Sequence, residues 1–539
     1  MKRVRTTLRA IRRGYEYVAS GFESLVTLLE HRYTPLGRFR PGPFAGWDFL
    51  WQPALVGCIA MCLILVGGCF PGSPFKLNMI STWFFGEPTV SPTLAPGQTQ
   101  LLLSIVSTYG GLLLLMRCWL RLAQIVNVHP GATMKKLWRI FFVWSLPLLV
   151  APPLFSRDIF SYAAQGEMTA HGLSPYLYGP FTLGSGPYVS PVDPLWGNAP
   201  APYGPAFLWV DGTIDRIARH NQLATLVGLR LLEFAAIMLI GYAVTLLAKA
   251  MRRDPSEAFV LAALNPMMLI ELVNGAHNDA LMTALLVLGV ALALRRRLVW
   301  ATIATACAAC VKAPAALGLA FIAWNWTPSP ESWRQRVRPI SVTTAVAAVV
   351  VGFWTVLAGF GFGWVQNLFT NGNVRSWAAP ATGVGLGLHL WLAHLGIATD
   401  LTHDLTISRV IAMSIALTFA TWFFFTAERR GWVRSLAMAL LLIVILGPVL
   451  QPWYLSWSLV LLAASYRGRE HFWLLFLTII GPVIGLPGGK SLLSGLAAAN
   501  PLLIALALAV LGGVLLLPMG SWTQWSWPEW KVALAEQER

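Results

Sequence analysis

The sequence has 539 residues, of which 56% are hydrophobic and 12% charged, and its formal net charge is +16. This composition excludes a soluble globule, which needs far more polar side chains to cover its surface. The Lys and Arg residues fall in short clusters between hydrophobic segments, a positive-inside pattern that indicates anionic membrane lipids and not nucleic acid as their partners.

Apolar segments of about 20 residues, each long enough to cross a bilayer as a helix, recur from residue 51 to residue 519. Irregular backbone cannot face lipid, so the predicted fold is an all-α polytopic membrane protein, a bundle of about 12–14 transmembrane segments. The six Cys residues lie in or beside apolar segments without zinc-ligand flanks, and we interpret them as packing residues.

Residues 1–47 are basic and amphipathic and lack a signal-peptide cleavage pattern, so they are predicted to be cytoplasmic. Residues 48–520 form the predicted membrane domain, and residues 521–539 a cytoplasmic tail. The first half of the chain has predicted crossings at about 51–70, 99–120, 138–154, 223–249 and 258–274, and a further one that returns to Arg295-Arg296-Arg297. The longest hydrophilic interruption, residues 155–222, is then extracytoplasmic.

Residues 298–326 are followed by Arg334, Arg336 and Arg338, which favour the cytoplasmic side. A break at Lys312-Ala313-Pro314 into a hairpin satisfies the charge rule and places Lys312 at the outer tip, whereas a single kinked helix is the alternative. Later crossings are predicted at about 339–361, 407–426, 435–450, 453–466, 471–487 and 499–519. The segment 381–397 is predicted not to cross fully.

The first candidate site is the motif SRDIFSY, residues 156–162, directly after an outward helix. Asp158 at the membrane surface can act as a general base on a sugar hydroxyl. The alternative is that Asp158 caps the following helix, with Arg157 as its ion partner. Tyr162, Tyr176 and the YGP motif at 203–205 can form a sugar-stacking wall or an interfacial aromatic belt.

A second polar group, His277-Asn278-Asp279, interrupts a hydrophobic region close to Glu271 and Asn274. Such groups are costly near hydrocarbon, so they indicate a buried polar site that binds sugar or acceptor, orients the base, or holds a metal through His277 and Asp279. Helix capping by Asn278 or Asp279 is the alternative.

Lys312 has no acidic neighbour in the sequence, and we expect it to take a lipid phosphate as its counter-anion, unless it snorkels to the headgroups. Arg375 in the predicted outer segment is expected to bind the same phosphate. Gln451, Trp453 and Tyr454 offer an amide and aromatic rings at the same surface, as a site wall or as part of the belt.

The motifs SRDIFSYAAQG, GLSPY, YGP, NGAHNDALM, VKAP, VRSW and QPWYLSW occur in this order between residues 156 and 454. Together they resemble the actinobacterial polyprenol-phosphate-mannose-dependent α-1,6-mannosyltransferases of lipomannan and lipoarabinomannan synthesis, which are GT-C enzymes. The resemblance implies a plasma-membrane enzyme with an extracytoplasmic active site, a polyprenyl-phosphate-mannose donor and a growing mannan on a phosphatidylinositol-mannoside anchor. It also implies an inverting displacement and an essential Asp in the first long outer loop, here Asp158.

The resulting hypothesis is that Asp158 deprotonates the acceptor while Lys312, Arg375 and Arg157 stabilise the departing lipid phosphate. No cofactor is required, and a divalent metal is kept as an alternative. A glycan transporter or flippase would instead need polar groups on both membrane sides and two related halves, neither of which the sequence displays. A nonenzymatic scaffold would not need Lys312 or His277-Asn278-Asp279 in costly places.

Overall fold

The computed structural model describes residues 48–69, 98–128, 134–327, 332–368, 375, 378–467 and 470–484. These residues are helical or irregular, with no β-strand among them, and the chain is an all-α polytopic membrane protein. The predicted cytoplasmic termini and the crossing at 499–519 lie outside the described residues.

The longer helices follow one another with short turns or irregular segments between them. They are α1 (Asp48–Cys69), α2 (Gln98–Val128), α3 (Met134–Val150), α4 (Asp158–Ala170), α5 (Pro205–Ile217), α6 (Gln222–Ala250), α7 (Pro255–Ala262), α8 (Asp279–Leu294), α9 (Leu298–Val311), α10 (Ala316–Asn325), α11 (Arg334–Ala358), α12 (Pro380–His394), α13 (Leu401–Phe425), α14 (Trp432–Ile445), α15 (Ser456–Ser465) and α16 (Glu470–Ile484). A π-helical turn spans Met268–Asn274, and 3₁₀ turns span Pro180–Leu183, Ala313–Ala315 and Pro452–Leu455. Single helical turns span Pro194–Gly197, Gly363–Gln366 and Ala427–Arg430.

The predicted helix at 258–274 is broken, which corrects the sequence analysis. Pro266 has no N–H to donate, so the helix cannot continue through it without loss of a hydrogen bond. Asn265 satisfies the backbone on both sides of the break: its amide nitrogen donates to the carbonyl of Leu261 at 2.7 Å, and its oxygen accepts from the N–H of Met268 at 2.8 Å. The π-helical turn and α8 then meet at a bend of 115°.

The predicted hairpin at 298–326 is confirmed by contacts between its two arms. Ala301 near the start of α9 packs with Ile322 near the end of α10. Arg296, which precedes α9, donates to the carbonyl of Trp326, which follows α10. The arms therefore run antiparallel, with Lys312 at the tip between them.

Helix α12 lies against only the first part of α13. The hydroxyl of Ser408 donates to the carbonyl of Ala381 at 2.6 Å, and His389 lies 2.9 Å from the carboxylate of Asp404. Whether residues 381–397 cross the membrane stays a prediction.

The basic loops between the spans meet at one end of the bundle. Arg253 donates to the carbonyl of Tyr466 at 2.9 Å. Ion pairs at the same end join Arg336 to Glu428 and Arg434 to Glu470. We call this the basic end, and the loops at the opposite ends of the same helices carry the candidate site.

Length and composition allow three of the described helices, α6, α11 and α13, to cross a membrane unaided. The bent pair formed by the π-helical turn and α8 is a fourth candidate. Several remaining apolar helices, including α9, α10 and α14, are shorter. The larger number of crossings inferred from hydropathy stays a prediction.

Candidate active site

The segment that enters the site is fixed by two polar side chains. The last carbonyls of a helix have no hydrogen-bond donors within that helix, and the proline residues after α3 have no N–H to offer them. Arg230 of α6 donates to the carbonyls of Ala151 at 2.7 Å and Asn274 at 2.9 Å. The side chain of Asn274 donates to the carbonyl of Pro152 at 2.9 Å and accepts from the N–H of Leu154 at 2.9 Å. These bonds set the path of the chain immediately before Asp158.

Asp158 is the first residue of α4, yet its side chain does not cap the helix. Its N–H donates to the hydroxyl of Ser156 at 3.1 Å. Its carboxylate, 16% exposed, lies 3.5 Å from Nδ1 of the wholly buried His277. The capping alternative therefore does not describe Asp158, and the close contact seen in its place is with His277.

His277 is held by its ring and not by hydrogen bonds. The imidazole stacks on the indole of Trp453, with ring centroids 3.6 Å apart and an interplanar angle of 13°. Neither ring nitrogen has a hydrogen-bond partner among the described residues. The stack fixes the plane of the ring, so the edge that faces Asp158 has a defined direction.

Lys312 has an acidic partner, which corrects the sequence analysis. Its ammonium donates to both oxygens of Asp279, at 2.9 and 2.8 Å, and the indole N–H of Trp457 donates to one of them at 2.6 Å. Asp279 is wholly buried. A buried carboxylate and ammonium in this geometry neutralise each other, so Lys312 needs no lipid phosphate as counter-anion. The alternative of Asp279 as a helix cap is not seen, because both of its oxygens are engaged by Lys312 and Trp457.

The hairpin tip also packs against the YGP motif. The N–H of Gly204 donates to the carbonyl of Val311 at 3.0 Å. A Cβ on Gly204 would lie 2.1 Å from the carbonyl oxygen of Cys310, so the close approach requires glycine. The neighbouring phenol of Tyr203 lies beneath Lys312, whose ammonium is 5.8 Å from the ring centroid. Burial, with Asp158 as a further cause, raises the pKa of Tyr203 well above its usual value, so its hydroxyl stays a donor.

A cleft opens beside Asp158. Its wall combines aromatic rings with amide and hydroxyl groups from two distant parts of the chain. The lining residues are Asp158, Ser161, Gln165, Trp196, Ala199, Pro200, Pro202, Tyr203, Val449, Gln451, Trp453 and Tyr454. Flat apolar rings with a few convergent polar groups are typical of a small-molecule site, and they suit the C–H faces and hydroxyls of a sugar.

The other sequence-predicted residues lie outside the cleft wall. Asn278 is wholly buried beside His277, and Tyr162 is buried with its ring edge-on to Tyr203. Tyr176 packs with Phe360 in a separate small cluster. The sequence analysis expected Asn278, Tyr162 and Tyr176 to contact sugar directly. In this structure none of the three lines the cleft.

The two arginines predicted for the donor phosphate are in different positions. Arg157 is half-buried directly before Asp158, and its Nε is buried without a hydrogen-bond partner among the described residues. Arg375 is exposed and lies within electrostatic range of Arg409. The described contacts do not join Arg375 to the cleft.

Sequence reasoning missed Trp196 and Gln165 on the cleft wall and Trp457 behind it. Trp196 lies in a Pro-rich stretch that resembles any irregular loop, and Gln165 follows Asp158 by two turns of one helix, a spacing that places both on the same face. That helical spacing was a usable signal for Gln165. Nothing local marks Trp457, which reaches Asp279 from 178 residues away.

Comparisons with known proteins cover most of the chain. A family model described as "Alpha-(1->6)-mannopyranosyltransferase, N-terminal domain" matches residues 54–328, and a second, "MptB C-terminal domain", matches residues 381–518. No solved structure matches the chain.

Curated relatives carry the same name. A probable alpha-(1->6)-mannopyranosyltransferase of Mycolicibacterium smegmatis is 31% identical over 420 residues, which is 70% of this chain and 75% of that protein. Alpha-(1->6)-mannopyranosyltransferase A of Mycobacterium tuberculosis is 30% identical over 81% of this chain and 83% of its own length. Alpha-(1->6)-mannopyranosyltransferase B of Corynebacterium glutamicum is 28% identical over 79% and 74%.

Proposed function

Because this chain belongs to the α-(1→6)-mannopyranosyltransferase family and is a mannosyltransferase, we propose that its donor is polyprenyl-phosphate-mannose. The acceptor is a growing α-1,6-mannan on a lipid anchor of the phosphatidylinositol-mannoside type. A lipid-linked donor suits a cleft at the ends of membrane helices, since its chain stays in the bilayer while the sugar enters the cleft.

The proposed reaction is a single displacement with Asp158 as general base. Its carboxylate takes the proton of the acceptor's 6-hydroxyl as that oxygen attacks the anomeric carbon. The bond from the anomeric carbon to the phosphate oxygen breaks, and the lipid phosphate leaves with the electron pair. Inversion gives an α-linked product from a β-linked donor.

The observation that carries this assignment is the position of Asp158 on the cleft wall. It is the carboxylate among the cleft-lining residues, and its exposed fraction of 16% leaves it accessible to an acceptor hydroxyl. The neighbouring acids differ from it: Asp279 is paired with Lys312, and Glu271 is wholly buried. A base must reach the proton it removes, and position favours Asp158 over both.

In this proposal His277 is a positioning residue. Its edge lies 3.5 Å from Oδ2 of Asp158, and its stack on Trp453 prevents rotation of the ring. In this proposal the contact leaves the other carboxylate oxygen of Asp158 facing the cleft. A base that is already oriented loses less conformational entropy in the transition state, which lowers the barrier.

The aromatic residues of the wall are proposed to hold the sugars. Trp196, Trp453 and Tyr454 offer ring faces for C–H contacts, and Gln165 and Gln451 offer amides for hydroxyl groups. Single aromatic contacts are weakly specific, so the amides are expected to fix which hydroxyl points at Asp158.

For the leaving phosphate we propose Arg157 as the main ligand. It precedes the base in sequence and has a buried nitrogen without a hydrogen-bond partner among the described residues. Guanidinium groups bind phosphate through paired hydrogen bonds, and matched charge makes the phosphate a better leaving group. Arg375 is a second candidate ligand. Lys312 instead supports the cleft wall, since its ammonium lies 4.5 Å from the ring centroid of Tyr454.

We further propose that the cleft faces the extracytoplasmic side of the plasma membrane. The basic end, which holds Arg253, Arg296 and Arg336, lies opposite the cleft. Positive loops stay in the cytoplasm, so the cleft end is outside, where a lipid-linked sugar is available and nucleotide sugars are not. The reaction as written needs no metal.

The test is a donor comparison with the purified full-length enzyme in lipid nanodiscs. Radiolabelled polyprenyl-phosphate-mannose and GDP-mannose are each supplied with a lipid-linked α-1,6-dimannoside. The lipid donor should give a longer product whose new mannose is released by an α-1,6-specific mannosidase. Transfer from GDP-mannose alone, or a product resistant to that mannosidase, would refute the proposed donor or linkage.

A further inference from the structure

A second polar cluster lies at the far end of α4 from the base. Glu167 and His171, at the end of α4, meet Asp215 of α5 and His220 of the following turn. Nδ1 of His220 is 2.8 Å from Glu167 and 2.9 Å from Asp215, and His171 is 3.6 Å from Glu167. Candidate ligand atoms of Glu167, His171 and His220 lie within 4.8 Å of one another.

Asp215 is the buried member of this cluster, and hydrogen bonds from residues outside the cluster orient its carboxylate. One carboxylate oxygen accepts hydrogen bonds from the hydroxyls of Tyr188 at 2.5 Å and Thr225 at 2.8 Å. The other oxygen is buried, with the side chain 0% exposed, and it faces the cluster, 2.9 Å from Nδ1 of His220. Outer hydrogen bonds that fix one oxygen and turn the other toward the site are what orient a metal-binding carboxylate.

We propose that Glu167, His171, Asp215 and His220 bind a divalent transition-metal ion of the Zn²⁺ class. Two carboxylates and two imidazoles form a ligand set that suits zinc and neighbouring metals better than calcium or magnesium. Ligands of a tetrahedral ion with bonds of about 2.0–2.1 Å lie about 3.4 Å apart, so small side-chain rotations close the cluster around a metal.

The metal is structural and not part of the reaction. A site with four protein ligands leaves no open position for a substrate. Glu167 follows Asp158 by nine residues on one helix, which separates them by about 14 Å. The ion joins the end of α4 to the junction of α5 and α6, where Arg216 already donates to the carbonyl of Thr169 at 3.2 Å. It thereby holds the helix whose first residue is the base.

The ordinary alternative is a metal-free network of polar contacts between the two histidines and the two acids. The exposed fractions of His171 and His220, 57% and 43%, allow either species to form. The two differ in whether zinc remains with the protein, which can be measured without turnover.

The experiment loads the purified full-length protein with Zn²⁺, removes excess metal by desalting, and measures zinc by mass spectrometry together with the melting temperature. Wild type should keep about one zinc per chain and melt higher with zinc than after chelation. His171→Gln and His220→Asn should lose the zinc and the shift. Asn is chosen at 220 because the residue has φ of +57°, which Asn tolerates.

The matched control is His389→Gln. His389 also lies 2.9 Å from a carboxylate, that of Asp404, but it is outside the proposed cluster. This variant should keep the zinc and the shift. Zinc retained equally by the His171 and His220 variants, or no zinc in wild type after desalting, would overturn the proposal.

Discussion

Replacement of Asp158 by Asn removes the proposed base with little change in shape. The side chain of Asp158 makes no capping hydrogen bond, and its nearest polar neighbour across the site is the imidazole of His277 at 3.5 Å. An amide of the same size keeps a polar contact with His277. We therefore expect Asp158→Asn to fold and to reach the membrane in normal amounts.

The expected loss lies in the chemical step. A positioned general base contributes roughly 10²–10⁴-fold to rate, which corresponds to about 3–5 kcal/mol of transition-state stabilisation. Asp279 and Glu271 cannot replace it, because one is paired with Lys312 and the other is wholly buried. We therefore expect kcat to fall by at least about 100-fold while the apparent affinity for donor changes little.

The assay measures transfer of labelled mannose from polyprenyl-phosphate-mannose by the purified variant and wild type at equal protein. Asp193→Asn is the control, because Asp193 lies in the same loop and only caps a helical turn, accepting from the N–H of Leu195 at 2.9 Å. It should keep most of the activity. A rate for Asp158→Asn within threefold of wild type would show that another group removes the proton.

Three further changes test the architecture around the base. Lys312→Met should lower the melting temperature, since it leaves a buried carboxylate unpaired at a cost of about 3–5 kcal/mol, and the double change with Asp279→Leu should recover most of it. Gly204→Ala should reduce the yield of folded protein, because its Cβ would lie 2.1 Å from the carbonyl oxygen of Cys310. His277→Gln should lower kcat by about 10²-fold with near-normal expression, because the base loses its rigid neighbour.

Each of these three predictions has an outcome that would contradict it. A Lys312→Met protein as stable as wild type would mean that the ion pair contributes nothing. Gly352→Ala is the control for Gly204, because a Cβ there meets nothing within 4 Å and should leave the yield unchanged. Equal yields for both alanine variants would argue against the close packing of the loop on the hairpin. Unchanged turnover in His277→Gln would remove His277 from the mechanism.

The parts of the fold that charge and hydropathy determine were predictable. The hairpin at 298–326 follows from the need to keep Arg296 and the arginines after residue 326 on one side, and the contact of Arg296 with Trp326 agrees with it. The broken helix was missed, although Asn265-Pro266 is a visible signal for a break. The break was missed because residues 258–274 are mostly apolar over a length that is normal for a membrane-spanning helix.

The site was only partly predictable, since its contacts join residues far apart in sequence. The local sequence around Lys312 suggested an isolated cation, yet its partner Asp279 lies 33 residues earlier. The stack of His277 on Trp453 joins two motifs that were singled out separately, and no local pattern indicated that they touch. Local sequence marks which residues are costly in a membrane, whereas packing decides which of them pair.

The most direct test is a cryo-electron microscopy structure of Asp158→Asn with polyprenyl-phosphate-mannose. The account predicts mannose density in the cleft between Trp196 and Trp453, its anomeric carbon on the side of residue 158, and phosphate density beside Arg157. Donor density at the basic end of the bundle, or a mannose whose anomeric carbon is out of reach of an acceptor oxygen bonded to residue 158, would contradict it.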